Sequence, residues 1–219
     1  MNNQESSNLF YFDHERLNTL AEDLHPKYTQ TEPFPHIVID SFMPEHALEM
    51  VLKEFPTPEM SVWRKYDKEQ KEKKLSLEDD IKMGDHTRHI LSQFNSATFV
   101  NFLEKLTGIN GLIPDPHFRG GGLHQIIPGG YLGIHADFNR YKRLNLNRRI
   151  NAIVYLNKDW KEEYGGHLEL WSNDMSHAVH KIAPLFNRCV IFNTSDFAYH
   201  GHPDPLRCPD AMSRKSLAL

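Results

Sequence analysis

The chain has 219 residues, of which 39% are hydrophobic and 11% aromatic, and a formal net charge of -4. That length and composition suit one folded domain with a sizeable core and argue against a disordered chain. The slightly acidic balance gives no electrostatic reason to expect nucleic acid or an anionic membrane as partner.

The opening Met1-Asn2-Asn3-Gln4-Glu5 has no basic stretch followed by an apolar one, so it does not read as a signal peptide. No apolar run approaches membrane-spanning length. The two cysteines, Cys189 and Cys208, indicate no disulfide framework, and a cytoplasmic location is expected. Short basic runs such as Lys71-Glu72-Lys73-Lys74 and Asn147-Arg148-Arg149 read as solvated faces.

Leu17, Leu20, Ala21 and Leu24 recur at helical spacing and predict a first helix, limited by Pro26. Pro33-Phe34-Pro35 leads into the β-branched run His36-Ile37-Val38-Ile39-Asp40, a buried strand. Ala47, Leu48, Val51, Leu52 and Phe55 form the apolar face of a second helix, which Pro56 and Pro58 stop. Residues 65–80 are charged and poor in large apolar side chains, and are expected to form a mobile surface loop. Ser96 can cap a third helix, with Phe99, Val100, Leu103 and Leu106 facing inward and Gly108 closing it.

After Gly108 the texture changes. Short apolar segments at 123–127, 150–156, 167–171, 188–192 and 216–219 alternate with Gly, Pro and Asn, and read as strands. Helices followed by many short strands predict an α+β chain whose β part is a sandwich or barrel. Gly120-Gly121-Gly122 lacks the strand-and-helix context of a phosphate loop and reads as a turn or hinge. Gly165 and Gly166 read as a turn with positive φ.

The sharpest chemical feature is Gly133-Ile134-His135-Ala136-Asp137. In an extended segment residues two apart share a face, so His135 and Asp137 can aim an imidazole and a carboxylate at one metal. A third ligand would come from Tyr199-His200-Gly201-His202-Pro203-Asp204. Two histidines and one carboxylate are the donor set of non-haem iron(II) oxygenases. A chain with 14 histidines offers one such tripeptide readily by chance, so the surroundings must carry the case.

Those surroundings run in order: His135-Ala136-Asp137, Tyr155-Leu156-Asn157, Gly165-Gly166, Val190-Ile191-Phe192, His200 with Pro203 and Pro205, and Arg214-Lys215-Ser216. In this order residues 119–219 resemble the catalytic core of the prolyl-hydroxylase-like 2-oxoglutarate/Fe(II) dioxygenases. The likeness extends more weakly to residues 34–40. It implies a double-stranded β-helix core at about 119–219, helical support at about 14–108, and one oxygenase domain over 1–219. It implies Fe(II), 2-oxoglutarate and O2 as cofactors, with ascorbate an optional addition. His135, Asp137 and His200 would be the metal ligands and catalytic centre, with His202 open as the third ligand instead of His200. Arg214 and Ser216 would hold the C5 carboxylate of 2-oxoglutarate, a planar guanidinium fork being suited to a carboxylate. Tyr155, Asn151, Tyr131 and Gln125 are further candidates for cosubstrate contact. Such chains usually continue a little past the last strand, whereas this one stops at Leu219.

The implied reaction is hydroxylation of a substrate C–H bond, with a prolyl residue the natural guess and a peptide or a small molecule as partner. Loops at 63–88 and 138–147 would shape the substrate pocket, with Trp63, Phe138, Tyr141 and Trp171 as candidate lining. The sequence leaves oligomeric state open. Two other readings compete. One is a metal-dependent hydrolase using His200, His202 and Asp204, which lacks the further ligands that should follow. The other is a non-catalytic β-helix binding module.

Overall fold

The structure is a computed structural model in which residues 9–66 and 73–219 are described. Its elements are α1 (His14–Gln30), β1 (His36–Ile39), α2 (Glu45–Glu54), β2 (Arg64–Tyr66), β3 (Lys74–Leu77), α3 (Asp85–Phe94), α4 (Ala97–Thr107), β4 (Gly122–Ile126), β5 (Leu132–His135), β6 (Arg140–Tyr141), β7 (Leu146–Asn147), β8 (Ile150–Tyr155), β9 (Leu168–Trp171), β10 (Ala178–Ile182), β11 (Cys189–Asn193), β12 (His200–His202) and β13 (Arg214–Ala218). Among the described residues no helix is long and apolar enough to cross a membrane.

The helices form where caps and apolar spacing agree. Asp13 caps α1 by accepting from Arg16 N, and Ser96 caps α4 by accepting from Phe99 N. Gly108 ends α4 at φ 72°, a conformation that costs other residues more. Pro26 does not end α1, which runs on to Gln30. Its last turn is held from outside: Tyr28 is buried and donates to Asn193 Oδ1 at 2.6 Å, and the His25 ring bonds Leu106 O at 3.0 Å. These tertiary contacts outweigh the one helical hydrogen bond that proline forfeits.

Among the described residues the strands form two large sheets and a two-stranded ribbon, β6-β7. The larger runs β1-β11-β8-β13-β4-β3-β2, and the smaller runs β10-β9-β12-β5. One face of the larger sheet presents Leu75, Leu77, Leu123, Val154, Ile191 and Leu217 to the helices, in one apolar cluster with Phe42, Phe94, Phe99 and Phe102. The other face presents Tyr155, Val190 and Phe192 to Leu168, Leu170 and Ile182 of the smaller sheet. The period of two in the strands therefore sorts each side chain either to the helices or to the space between the sheets. This is the double-stranded β-helix.

The segment 65–80 departs from the expected loop. Its 67–72 portion lies outside the described residues, but β2 and β3 flank it, and β3 pairs with β4 from Lys74↔Ile126 to Leu77↔Leu123. Leu75 and Leu77, two apart, are buried against the helices. The alternation Lys-Leu-Ser-Leu was a strand signal masked by its charged neighbours.

Candidate metal centre

β5 and β12 run antiparallel with His200 opposite His135, so one register pair sets two imidazoles side by side, ring centroids 4.7 Å apart. Asp137 follows just past the end of β5. Gly201 permits the pairing to close tightly, since a Cβ there would stand 2.8 Å from both Gly133 O and Leu132 O. His135, Asp137 and His200 each offer an atom within 4.8 Å of the others. His135 Nε2 is 3.4 Å from Asp137 Oδ1, and His200 Nε2 is 3.7 Å from Asp137 Oδ2.

The ring orientations follow from the backbone. His135 Nδ1 bonds Gly133 O at 2.8 Å, and His200 Nδ1 bonds Ala198 O at 2.9 Å. A carbonyl can only accept, so each Nδ1 carries a proton and each Nε2 faces Asp137, as a donor when the ring is charged and as a metal-ligating lone pair when it is neutral. Two lone pairs and a carboxylate thus converge, as a divalent cation requires. His200 is buried, whereas the side chains of His135 and Asp137 keep 36% and 20% of their surface, so the group opens to solvent on one side.

A second layer holds the carboxylate. Asn151 Nδ2 donates to Asp137 Oδ2 at 2.6 Å, Arg148 Nη1 lies 3.6 Å from the same oxygen, and Arg148 also donates to Asn151 Oδ1. Burial is the strongest influence on Asp137 and pushes its pKa up. The hydrogen bond with His135, the charges of His200 and Arg148 and the Asn151 bond together outweigh it and hold the carboxyl well below the usual range. Burial lowers the His135 pKa, but the Asp137 and Gly133 bonds outweigh it and the net shift is upward. Burial pushes His200 down to about 4. The group is therefore poised to exchange a proton for a metal ion.

On the inner face of the larger sheet the side chains turn polar. Ser76, His124, Ser216 and Tyr155 stand in register across β3, β4, β13 and β8. Arg214, one pleat away, is buried, donates from Nε to Gly166 O at 2.7 Å and from Nη2 to the Tyr155 hydroxyl at 3.1 Å. Among the described residues no carboxylate pairs with it. A buried cation with no anion is costly, so Arg214 is suited to an anionic guest. Gly166, at φ 71°, lets its carbonyl reach the guanidinium, because a Cβ there would stand 3.0 Å from Arg214 Cδ and 2.5 Å from Leu206 Cδ2.

The remaining sequence candidates divide. Asn151 shares the inward face with Tyr155 but reaches Asp137, not the Arg214 end. Tyr131 is half-buried just before β5. Gln125 pairs with Lys215, so the pleat turns it away from Arg214, and it donates to Ser213 instead. His202 is buried but stands outside the three-residue group. Asp204 is exposed and, like His202, is not part of the converging three-residue group. Trp63 packs on Phe55 and donates to Thr57 O, so it belongs to the core and not to a pocket. Trp171 is half-buried and bonds Glu169, whereas Phe138 is 41% exposed near the metal group, under the Arg148 guanidinium. Sequence reasoning missed Arg148, because a position just ahead of β8 has no spacing relation to Asp137 and looks like one more surface arginine.

The sequence model of the 2OG-Fe(II) oxygenase superfamily matches residues 121–219. Among solved structures, a Trichoplax adhaerens prolyl hydroxylase, in complex with a peptide of the hypoxia inducible factor oxygen degradation domain, superposes with a TM-score of 0.63 at 15% identity. The match covers 93% of this chain and 89% of that one. A Pseudomonas putida prolyl-4-hydroxylase gives a TM-score of 0.61 at 15% identity, covering 91% and 96%. HygX from Streptomyces hygroscopicus, with nickel, 2-oxoglutarate and hygromycin B bound, gives 0.56 at 11% identity, covering 89% and 84%. These likenesses show the shared fold. Residues 121–219 thus carry the sequence pattern of the 2OG-Fe(II) oxygenase superfamily, whose members use Fe(II), 2-oxoglutarate and O2.

Proposed function

We propose that this protein is a 2-oxoglutarate-dependent hydroxylase in which His135, Asp137 and His200 hold Fe(II). The observation that carries the reading is the convergence of these three side chains within 4.8 Å, with both imidazoles turned by backbone carbonyls two residues earlier. When bound, Fe(II) with its cosubstrate supplies oxidative chemistry in which 2-oxoglutarate, O2 and a substrate C–H yield succinate, CO2 and an alcohol.

The chain's own residues bind and orient. Arg214 receives the far carboxylate of 2-oxoglutarate, with the Tyr155 hydroxyl and Ser216 beside it; the guanidinium, the hydroxyl and the buried setting support this assignment. Asn151 and Arg148 keep Asp137 ionised and oriented, so that it meets the metal as a carboxylate. The apolar wall of Phe192, Leu168 and Leu170 keeps bulk water from the space between the sheets.

The substrate we favour is a prolyl residue in a peptide, supported by the fold shared with prolyl hydroxylases. We further read residues 1–219 as one oxygenase domain, working in the cytoplasm and without nucleic acid. The test is succinate release with Fe(II) and 2-oxoglutarate across prolyl peptides and free amino acids. Stimulation by a prolyl peptide, with hydroxyproline in the product, is expected. Succinate release that no prolyl peptide stimulates would sink the substrate, and no 2-oxoglutarate turnover at all would sink the reaction.

A further inference from the structure

His202 shares β12 with His200 but does not join the metal group. The strand is irregular between the two, and His202 comes to lie opposite Leu132. Its ring is 2% exposed, and neither Nδ1 nor Nε2 has a hydrogen-bond partner among the described residues. A neutral imidazole carries one donor and one acceptor, and burying both without partners opposes folding. A buried ring of this kind persists where something else supplies the partner.

The position of the ring says what that partner is. Arg214, Lys74 and His135 are among the charged or chargeable groups near His202. The ring therefore neighbours both the metal group, two residues along β12 from His200, and the buried guanidinium of Arg214. His124 faces the same space from β4, within reach of Asp137 at one end and Arg214 at the other, enclosed by its neighbours yet retaining some accessible surface. An anion held by both the metal group and Arg214 would have the unpartnered His202 ring as a neighbour.

We infer that His202 is a cosubstrate-binding residue, its ring N–H donating a hydrogen bond to the dicarboxylate that spans the metal group and Arg214. The inference rests on the function proposed above and adds to it a second protein contact from the opposite sheet. It also separates His202 from the ligand set: His200 serves the metal, and His202, two residues on, serves the cosubstrate.

The test uses the full chain and two variants, His202→Leu, of similar volume without hydrogen-bonding groups, and His202→Gln, which keeps a donor. Three quantities are measured: Mn(II) affinity alone, 2-oxoglutarate affinity by calorimetry with Mn(II) present, and the metal-free melting temperature. For His202→Leu the expected results are unchanged Mn(II) affinity, 2-oxoglutarate affinity weaker by about ten-fold or more, and a metal-free melting temperature equal to or above that of the wild type. His202→Gln should recover much of the lost cosubstrate affinity. Wild-type 2-oxoglutarate affinity in His202→Leu would overturn the inference alone. Lost Mn(II) affinity in that variant would make His202 a ligand, and a lowered metal-free melting temperature that His202→Gln does not restore would make it structural; either overturns the inference. A wild type that binds Mn(II) but not 2-oxoglutarate would overturn the proposed function, and this inference with it.

Discussion

At the scale of single residues, the metal group is organised by hydrogen bonds that involve no metal. His135 and His200 are each tied through Nδ1 to a carbonyl two residues earlier on the chain, and Asp137 is tied through Asn151. The donor atoms are thus oriented before any ion arrives, which reduces the reorganisation that binding requires. Asp137→Ala should abolish metal-dependent succinate formation while leaving the circular dichroism spectrum intact; normal turnover by that variant would show that the carboxylate is not a ligand. Gly166 tests the contact that holds Arg214. An alanine there takes a left-handed conformation, costing about 1–2 kcal/mol, and its Cβ pushes on Arg214 and Leu206. Gly166→Ala is expected to lower stability by about that amount in urea denaturation and to raise the KM for 2-oxoglutarate. An unchanged KM would show that the arginine is not held by this contact.

At the scale of elements, the helices serve as the wall on which the larger sheet is laid. Phe99 of α4 is packed edge-on to Phe94 at a centroid distance of 4.8 Å and stacks on Phe12 at 5.1 Å. It lies in the same cluster as Leu123 and Leu217 of the sheet. Phe99→Ala should therefore cost about 3–5 kcal/mol, measured by denaturant unfolding; a loss below about 1 kcal/mol would mean that the helical layer is not coupled to the sheet. α3 carries Thr87, Ile90, Leu91 and Phe94 on its buried face. That spacing was readable in the sequence and went unread beside the charged stretch before it. β10 and β12 are a different case. Ala-Val-His-Lys-Ile and His-Gly-His have little apolar alternation of their own, and they are strands because β9 lies between them as a template.

At the scale of the whole molecule, the space between the sheets gathers histidines that burial keeps neutral. His36 of β1 is one of them, opposite Phe192 and beside His180. Burial, its main influence, lowers its pKa, with the Phe34 carbonyl opposing and with His180 and Lys27 adding to the effect. The sign follows from linkage: a base whose folded pKa is depressed binds fewer protons than it does unfolded, so its contribution is full above the unfolded value and is lost as pH falls below it. Unfolding free energy should decline as pH drops below about 6.5, and His36→Leu should reduce that slope. A slope unchanged by the substitution would place the titration elsewhere.

The sequence by itself determined the two-part layout, the strands that carry His135, Tyr155 and Arg214, and the pairing of His135 with Asp137. These are local: apolar period, capping residues, and the two-residue spacing that puts side chains on one face. Only the tertiary structure decided what depends on elements distant in the chain meeting one another. Register between β5 and β12 brought His200, not His202, to Asp137. The pleat of β4 turned Gln125 away from Arg214, while the start of β8 carried Arg148 to the carboxylate. Pro26 failed to end α1 because contacts far along the chain held the last turn. A spacing of two residues states which face a side chain shares, but what stands across that face is settled only when the two sheets close on each other.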